Sequence, residues 1–327
     1  MKKLTIALVL TILVGTVGCT RSVKYQRDQE YYTRDDRYEA ARGSEAADRI
    51  EKFGAPKKRI FVMPFENTTP YGRPNAGSGG VDELGLFAAD ELSRELRSSG
   101  RGIVPEGIAS ASTSRDFFVG DKVRASSLLR EARKLNVTVV IIGRITKIRY
   151  RQKGDPVGLL RKRQSVAAVE LEMRVYDVVD GKELYSETKL AEGSSSSMNL
   201  FSKADSDSPE SRRDLIQEAI RNGSTAFSKS LARVLDKVAW EGRIAKIVNP
   251  YVYVNAGKAS GIALGDILKV ISPGEDVYDP VTGAAMGRAR GQVKGTLEVV
   301  DYLGADGAIT RVHSGGGFQE QDQVQLY

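Results

Sequence analysis

Residues 137–148 read VTVVIIGRITKI. A strand with one wet face alternates apolar and polar residues; a near-continuous apolar run suits a strand covered on both faces. The stretch therefore predicts a central strand of a layered sheet. Just upstream, Asn136 stops a short helix whose Leu128, Leu129, Ala132 and Leu135 fall on one face. Before that helix, GIVPE (102–106) reads as a short strand. A second helix is expected over 81–99, with Val81, Leu84, Phe87, Ala88, Leu92 and Leu96 on one face. A Gly-rich loop at 72–80 separates it from an opening strand, Ile60–Phe65, which contains Pro64. The order strand, helix, strand, helix, strand argues for an α/β sheet.

Downstream the pattern changes. SVAAVELEMRVYDV (165–178) alternates through Val169, Leu171, Met173 and Val175. Asp180-Gly181 is a hairpin signal, and KELYSETKLAEG (182–193) returns as the partner strand. A polar loop covers Ser194–Ser211. A long helix then runs from near Ser211 towards Val238, with Leu215, Ile216, Ala219, Ile220, Phe227, Leu231, Val234 and Leu235 as its stripe and Gly223 weakening its middle. After Trp240 the chain reads as strands: GRIAKIV, YVYVNA, DILKVI, GQVKGTLEVVDYL and GAITRV, divided by turns rich in Gly, Pro and Asp. The expected fold is thus an α/β domain over 58–240, a mixed sheet with flanking helices, and a small all-β, barrel-like domain over 241–327. Trp240, at the junction, is assigned a packing role.

The N-terminus carries a different message. Met1-Lys2-Lys3 is basic, Leu4–Val14 is apolar but too short to span a bilayer, and small residues lead to Cys19, the chain's one cysteine. TVGC (16–19) resembles the bacterial lipoprotein signal, which implies a signal peptide over 1–18 and acylation of Cys19. Thr16 stands where such signals usually have Leu. Thr20, in place of Asp, implies sorting to the outer membrane in proteins of this kind. Between residues 20 and 58, ten basic and eight acidic side chains leave too little apolar surface to offset the entropy of ordering. Residues 19–57 are therefore expected to be a lipidated tether. The formal charge of +7 falls to +5 once Lys2 and Lys3 leave, a balance of mixed sign that reads as solvated surface.

Little in the chain points to chemistry. The single histidine, His313, stands beside Ser314 near a strand end, and no further residue completes a triad around them. One Cys and one His cannot make a zinc site. DSDSPE (205–210) lacks the Gly and distal Glu of a calcium loop. NAGKASG (255–261) imitates the end of a phosphate loop, but Val252 stands where that loop needs Gly, Ala259 follows Lys258, and a strand rather than a helix comes next. No nucleotide, nucleic acid, metal or other cofactor is expected, and no catalytic residue is assigned. Asn255 and Gly257 are expected to take positive φ in this turn.

Two stretches resemble known families. RIFVMPFEN, VDELGLFAADELSRELRSSG and LNVTVVIIGRITKI, within 58–240, resemble the CsgG-like fold, shared by the curli secretion lipoprotein and the middle domain of the flagellar protein FlgT. YVYVNAGKASGIALGDILKV, YDPVTGAAMGR and GTLEVVDYLGADGAI, within 241–327, resemble the FlgT C-terminal domain. The resemblance implies a non-enzymatic lipoprotein on the periplasmic face of the outer membrane. It implies partners among envelope or flagellar basal-body proteins, and assembly into a homo-oligomeric ring. FlgT's own N-terminal domain has no counterpart; a tether and an anchor stand in its place. The alternatives are a curli-type secretion component and a lipoprotein regulator of cell-wall synthases. Curli-type pores need inserted strands of about 9–11 alternating residues. The loops expected at 149–165 and 193–211 are polar without alternation, so no pore is expected. The Gly-rich loops and the 81–99 helix are the expected contact surfaces.

Overall fold

The computed structural model describes residues 56–71, 82–105, 112–153, 164–195, 208–282, 285–289 and 291–327. By its internal contacts the chain divides into Met1–Glu45, outside the described residues, and Ala46–Tyr327. In chain order the elements are β1 (Lys58–Val62), β2 (Glu66–Asn67), α1 (Glu83–Ser98), β3 (Gly102–Ile103), β4 (Phe118–Val119), β5 (Lys122–Val123), α2 (Ala125–Lys134), β6 (Val139–Lys153), β7 (Gln164–Asp177), β8 (Glu183–Ser195) and α3 (Pro209–Leu235). Then follow β9 (Gly242–Val248), β10 (Tyr251–Val254), β11 (Ile267–Ile271), β12 (Asp276–Tyr278), β13 (Ala285–Arg288), β14 (Val293–Leu303), β15 (Gly307–Gly315) and β16 (Gln323–Leu326).

The first sheet has the order β3-β1-β6-β7-β8, with β2 beside β6. β1 runs parallel to β3 and β6, while β6, β7 and β8 form an antiparallel meander. The apolar run of β6 is central and covered on both faces. Val139 and Ile141 join Ile60 and Val62 in one core, beneath α1 and α3. Val140 and Ile142 join Phe61 and Met63 in the other, beneath α2. Local signals set the helix limits. Asp82 Oδ1 accepts from the Leu84 and Gly85 amides to start α1. Asn136, at φ 55°, ends α2 in the left-handed conformation that Asn tolerates. Ser208 caps α3 by accepting from Ser211 N (3.1 Å), and Pro209 occupies its first turn, so the helix begins slightly before the expected Ser211.

Two expected loops are shorter than their sequences suggest. β6 and β7 stay paired from Arg149↔Ala168 to Lys153↔Gln164, so both ends of the segment expected as a loop over 149–165 are hairpin arm. β8 runs to Ser195, trimming the 193–211 loop as well. Charged side chains do not end a strand while a neighbouring strand supplies its ladder bonds. Residues 154–163 and 196–207, including the DSD of DSDSPE, lie outside the described residues.

The last third closes into a six-stranded barrel in the order β10-β15-β14-β11-β16-β9. Ile244, Val252, Val254, Leu268, Val270, Leu297, Val299 and Val324 fill it, and Trp240 is buried in the same cluster, in the expected packing role. β16 and the β12–β13 hairpin escape the sequence reading, which stops at GAITRV. Without β16 the barrel would be open, since it bridges β11 and β9. No helix among the described residues is long and apolar enough to cross a membrane.

Candidate interaction site

The turn NAGKASG follows β10 and is filled from within the chain. The Gly257 and Ser260 amides donate to Asp306 Oδ1 at 2.9 and 2.8 Å, and Ser260 Oγ donates to Oδ2 at 2.6 Å. A phosphate loop would offer its amides to a ligand; here a carboxylate of the chain holds two of them. Gly261 and Gly265, at φ 80° and 84°, are the positive-φ residues of this stretch. The expectation for Asn255 and Gly257 is corrected. Gly257 is needed for close approach, because a Cβ there would lie 2.3 Å from Gly307 O. Asn255 is a bonding residue, its Oδ1 accepting from Arg243 N at 2.7 Å.

The same turn fastens the barrel to the sheet. Arg59 of β1 donates from Nη1 to Asn255 O (3.2 Å) and lies 3.8 Å from Asp306 Oδ2. Lys57 N donates to Ser260 O at 2.9 Å. The lookalike phosphate loop is thus a structural seam.

A second charged cluster sits on the sheet. Arg144 Nε and Arg174 Nε donate to the two oxygens of Glu172 at 2.6 and 2.9 Å. Arg144 Nη1 also donates to Gly120 O and Arg174 Nη2 to Asp121 O, at 2.8 and 2.7 Å. The Arg144 guanidinium lies 4.3 Å from the centre of the Phe118 ring. Together these contacts hold the β4–β5 hairpin onto β6 and β7. Burial pushes the Glu172 carboxyl up, but the hydrogen bonds and charges of the two arginines outweigh it and leave Glu172 below its ordinary value.

A recess of about 280 Å³ lies between α1, β6 and the start of α3. Tyr71, Leu84, Tyr150, Pro209 and Ile216 form its apolar wall, with Arg212 at the edge. The Tyr71 and Tyr150 rings meet edge to face, 5.8 Å apart. Tyr150 Oη donates to Arg212 O, and the Arg212 guanidinium lies 5.7 Å from the Tyr150 ring. Burial, reinforced by Tyr71, holds the Tyr150 hydroxyl well above its ordinary pKa. An Arg213–Glu83 ion pair (2.7 Å) ties α3 to α1 beside it. The arrangement can take an apolar group but holds no nucleophile–base pair. A wider cleft of about 940 Å³ lies between the Val179–Lys182 turn and the barrel, where Val277, Met286 and Val293 are exposed.

The structure distributes the expected sites as follows. Cys19 and the 72–80 loop lie outside the described residues. The 81–99 helix is present as α1, but Leu84, Ala88, Leu92 and Leu96 are buried in the core, leaving Leu86, Asp90 and Arg94 outward. His313 is exposed on β15, and Ser314 Oγ pairs with Thr296 Oγ1 at 2.8 Å. Among the described residues no group of three or more His, Cys, Asp or Glu is placed to hold a metal ion. The Tyr71–Tyr150 cavity is invisible in sequence, since its walls come from four separate segments.

No protein-family model matches the chain. No curated protein matches it either. Among solved structures it is similar to a hypothetical protein from Chlamydia trachomatis, at 18% identity over 56% of this chain and 98% of that one, with a TM-score of 0.36. It is similar to lipoprotein GNA1162 from Neisseria meningitidis, at 16% identity over 54% of this chain and 99% of that one, with a TM-score of 0.26. It is also similar to the C-terminal domain of LpoB from Escherichia coli, at 16% identity over 43% of this chain and 90% of that one, with a TM-score of 0.19. Bacterial lipoproteins thus figure among the solved structures to which this chain is similar.

Proposed function

We propose that this chain is a non-enzymatic lipoprotein, held on the periplasmic face of the outer membrane by acyl chains on Cys19. Its folded part scaffolds or stabilises an envelope assembly, a flagellar basal-body ring before any other. The observation that carries the reading is the order within residues 1–19: a basic start, an apolar run of sub-membrane length, small residues, and the chain's one cysteine. Multiple acyl chains on one residue exceed what stable anchoring needs. The flagellar assignment rests on the FlgT-like stretches quoted above. The Asp306 seam argues against a nucleotide at this loop, since two of its amides are already engaged.

Deletion of the gene, with imaging of basal bodies and a swimming assay, tests the assignment. Missing or unstable rings and impaired swimming are expected. Normal rings with normal swimming would overturn the flagellar role. Recovery of a cell-wall synthase, without basal-body proteins, in a pull-down with the lipidated chain would move the assignment to regulation of that synthase.

A further inference from the structure

Among the described residues the β4–β5 and β12–β13 hairpins have edges of only two to four residues, and β6 has no neighbour on one side beyond Ile145. The barrel is closed, and the first sheet ends on one side at β3, which has two residues. On its other side the sheet ends at β8, which has 13 residues and pairs with β7 alone. The pairing is free of register shifts from Ser165↔Ser195 to Val175↔Tyr185, so the edge is straight. β8 contains no proline, and Leu190 is 65% exposed. Long straight edges present a row of unpaired backbone groups, and proteins normally blunt or cover them. At its far end, Asn222 Nδ2 of α3 engages the Glu192 carbonyl at 2.8 Å, while Ser186, Thr188 and Leu190 are exposed.

We propose that β8 pairs antiparallel with β8 of a second copy of this chain, about a two-fold axis through Thr188. If the helical layers of both copies lie on one side of the joined sheet, the axis must pass through a residue that faces its own copy. With Thr188 there, Glu187 lies opposite Lys189 of the second copy, twice over, because the interface is isologous. Ser186 then faces Leu190, Tyr185 faces Ala191, and the pairing extends from Tyr185 to Ala191, short of the Glu192 carbonyl that Asn222 holds. With Glu187 or Lys189 on the axis, like charges would meet instead. Directly opposed ion pairs stabilise antiparallel strands and like charges destabilise them. Within one chain Lys189 Nζ lies 3.0 Å from Glu187 Oε2 and donates to Ser230 Oγ of α3 at 3.0 Å, so the pairing must exchange the contact with Glu187 for one across the axis. The pairing requires neither the lipid anchor nor a flagellar partner, so it and the proposed function stand or fall separately.

The test uses the full chain with Cys19→Ser, so that an introduced thiol is the chain's only one. Thr188→Cys is expected to form a disulfide-linked dimer under mild oxidation. Val281→Cys, 90% exposed on the barrel side, is expected to stay monomeric. In sedimentation, Lys189→Glu is expected to weaken the dimer about tenfold or more, and Glu187→Lys with Lys189→Glu to restore it. Three results would overturn the proposal: monomer throughout, a dimer indifferent to Lys189→Glu, or equal cross-linking at 188 and 281. If Lys189→Glu fails to fold, the pair of cysteine variants decides.

Discussion

Asp306 shows how much one side chain can organise. It accepts from two backbone amides and one hydroxyl across 46–49 residues of sequence. Asp306→Ala leaves those amides without their acceptor, and a loss of about 2 kcal/mol in denaturant unfolding is expected. The sequence leads one to expect no nucleotide at NAGKASG, since Val252 stands for Gly and Ala259 for Ser or Thr. The structure adds a cause the local pattern could not contain, because the occupant of the loop comes from a distant turn. Glu172 is similar. Its alternation on β7 is legible, yet its two arginine partners follow from strand register. Removing it by Glu172→Ala takes the shared carboxylate from two largely buried guanidinium groups, leaving Asp121 and Glu183 at 3.4 and 3.8 Å, and is expected to cost about 3 kcal/mol. The sign of the pH effect follows from its lowered pKa. The stability it contributes is present above about pH 4.5 and is lost as pH falls through its folded value. Acid titration of unfolding should therefore show the variant losing less stability than the parent chain below that pH.

At the scale of elements, hydrophobic period was a good guide and charge was a poor one. The unbroken apolar run of β6 and the stripes of α1, α2 and α3 are all present, since each buries a face that nothing but a core can cover. β6 extends through Lys147, Arg149 and Arg151 because β7 supplies its ladder, a fact that resides in the partner. β16 was missed for a related reason: QVQL is four residues long and becomes a strand by closing the gap between β9 and β11. The packing of α3 on β8 depends on Gly193, where a Cβ would lie 2.3 Å from Leu215 O and 2.6 Å from Ala219 N. Both contacts are backbone atoms and cannot swing aside. Gly193→Ala is expected to cost about 2 kcal/mol or more, against a gain of well under 1 kcal/mol in strand preference. Thermal unfolding of the variant measures the balance.

For the whole molecule, the anchor is the feature to test. Cys19→Ser is expected to abolish palmitate labelling and to move the protein from the membrane pellet to the soluble periplasmic fraction; an unchanged pellet would point to another attachment. The seam at Lys57, Arg59, Ser260 and Asp306 has a mechanical consequence. Tension applied from the N-terminal side of Pro56 meets Lys57 and Arg59 first. Their bonds to Ser260 O and Asn255 O pass part of that force straight into the barrel. The rest enters β1, whose parallel neighbours β3 and β6 are loaded in shear, so that their ladder bonds must yield together rather than one by one. Sheet and barrel therefore share a pull from that side from its first moment, and a single cut at Asp306 would weaken the joint without severing either body.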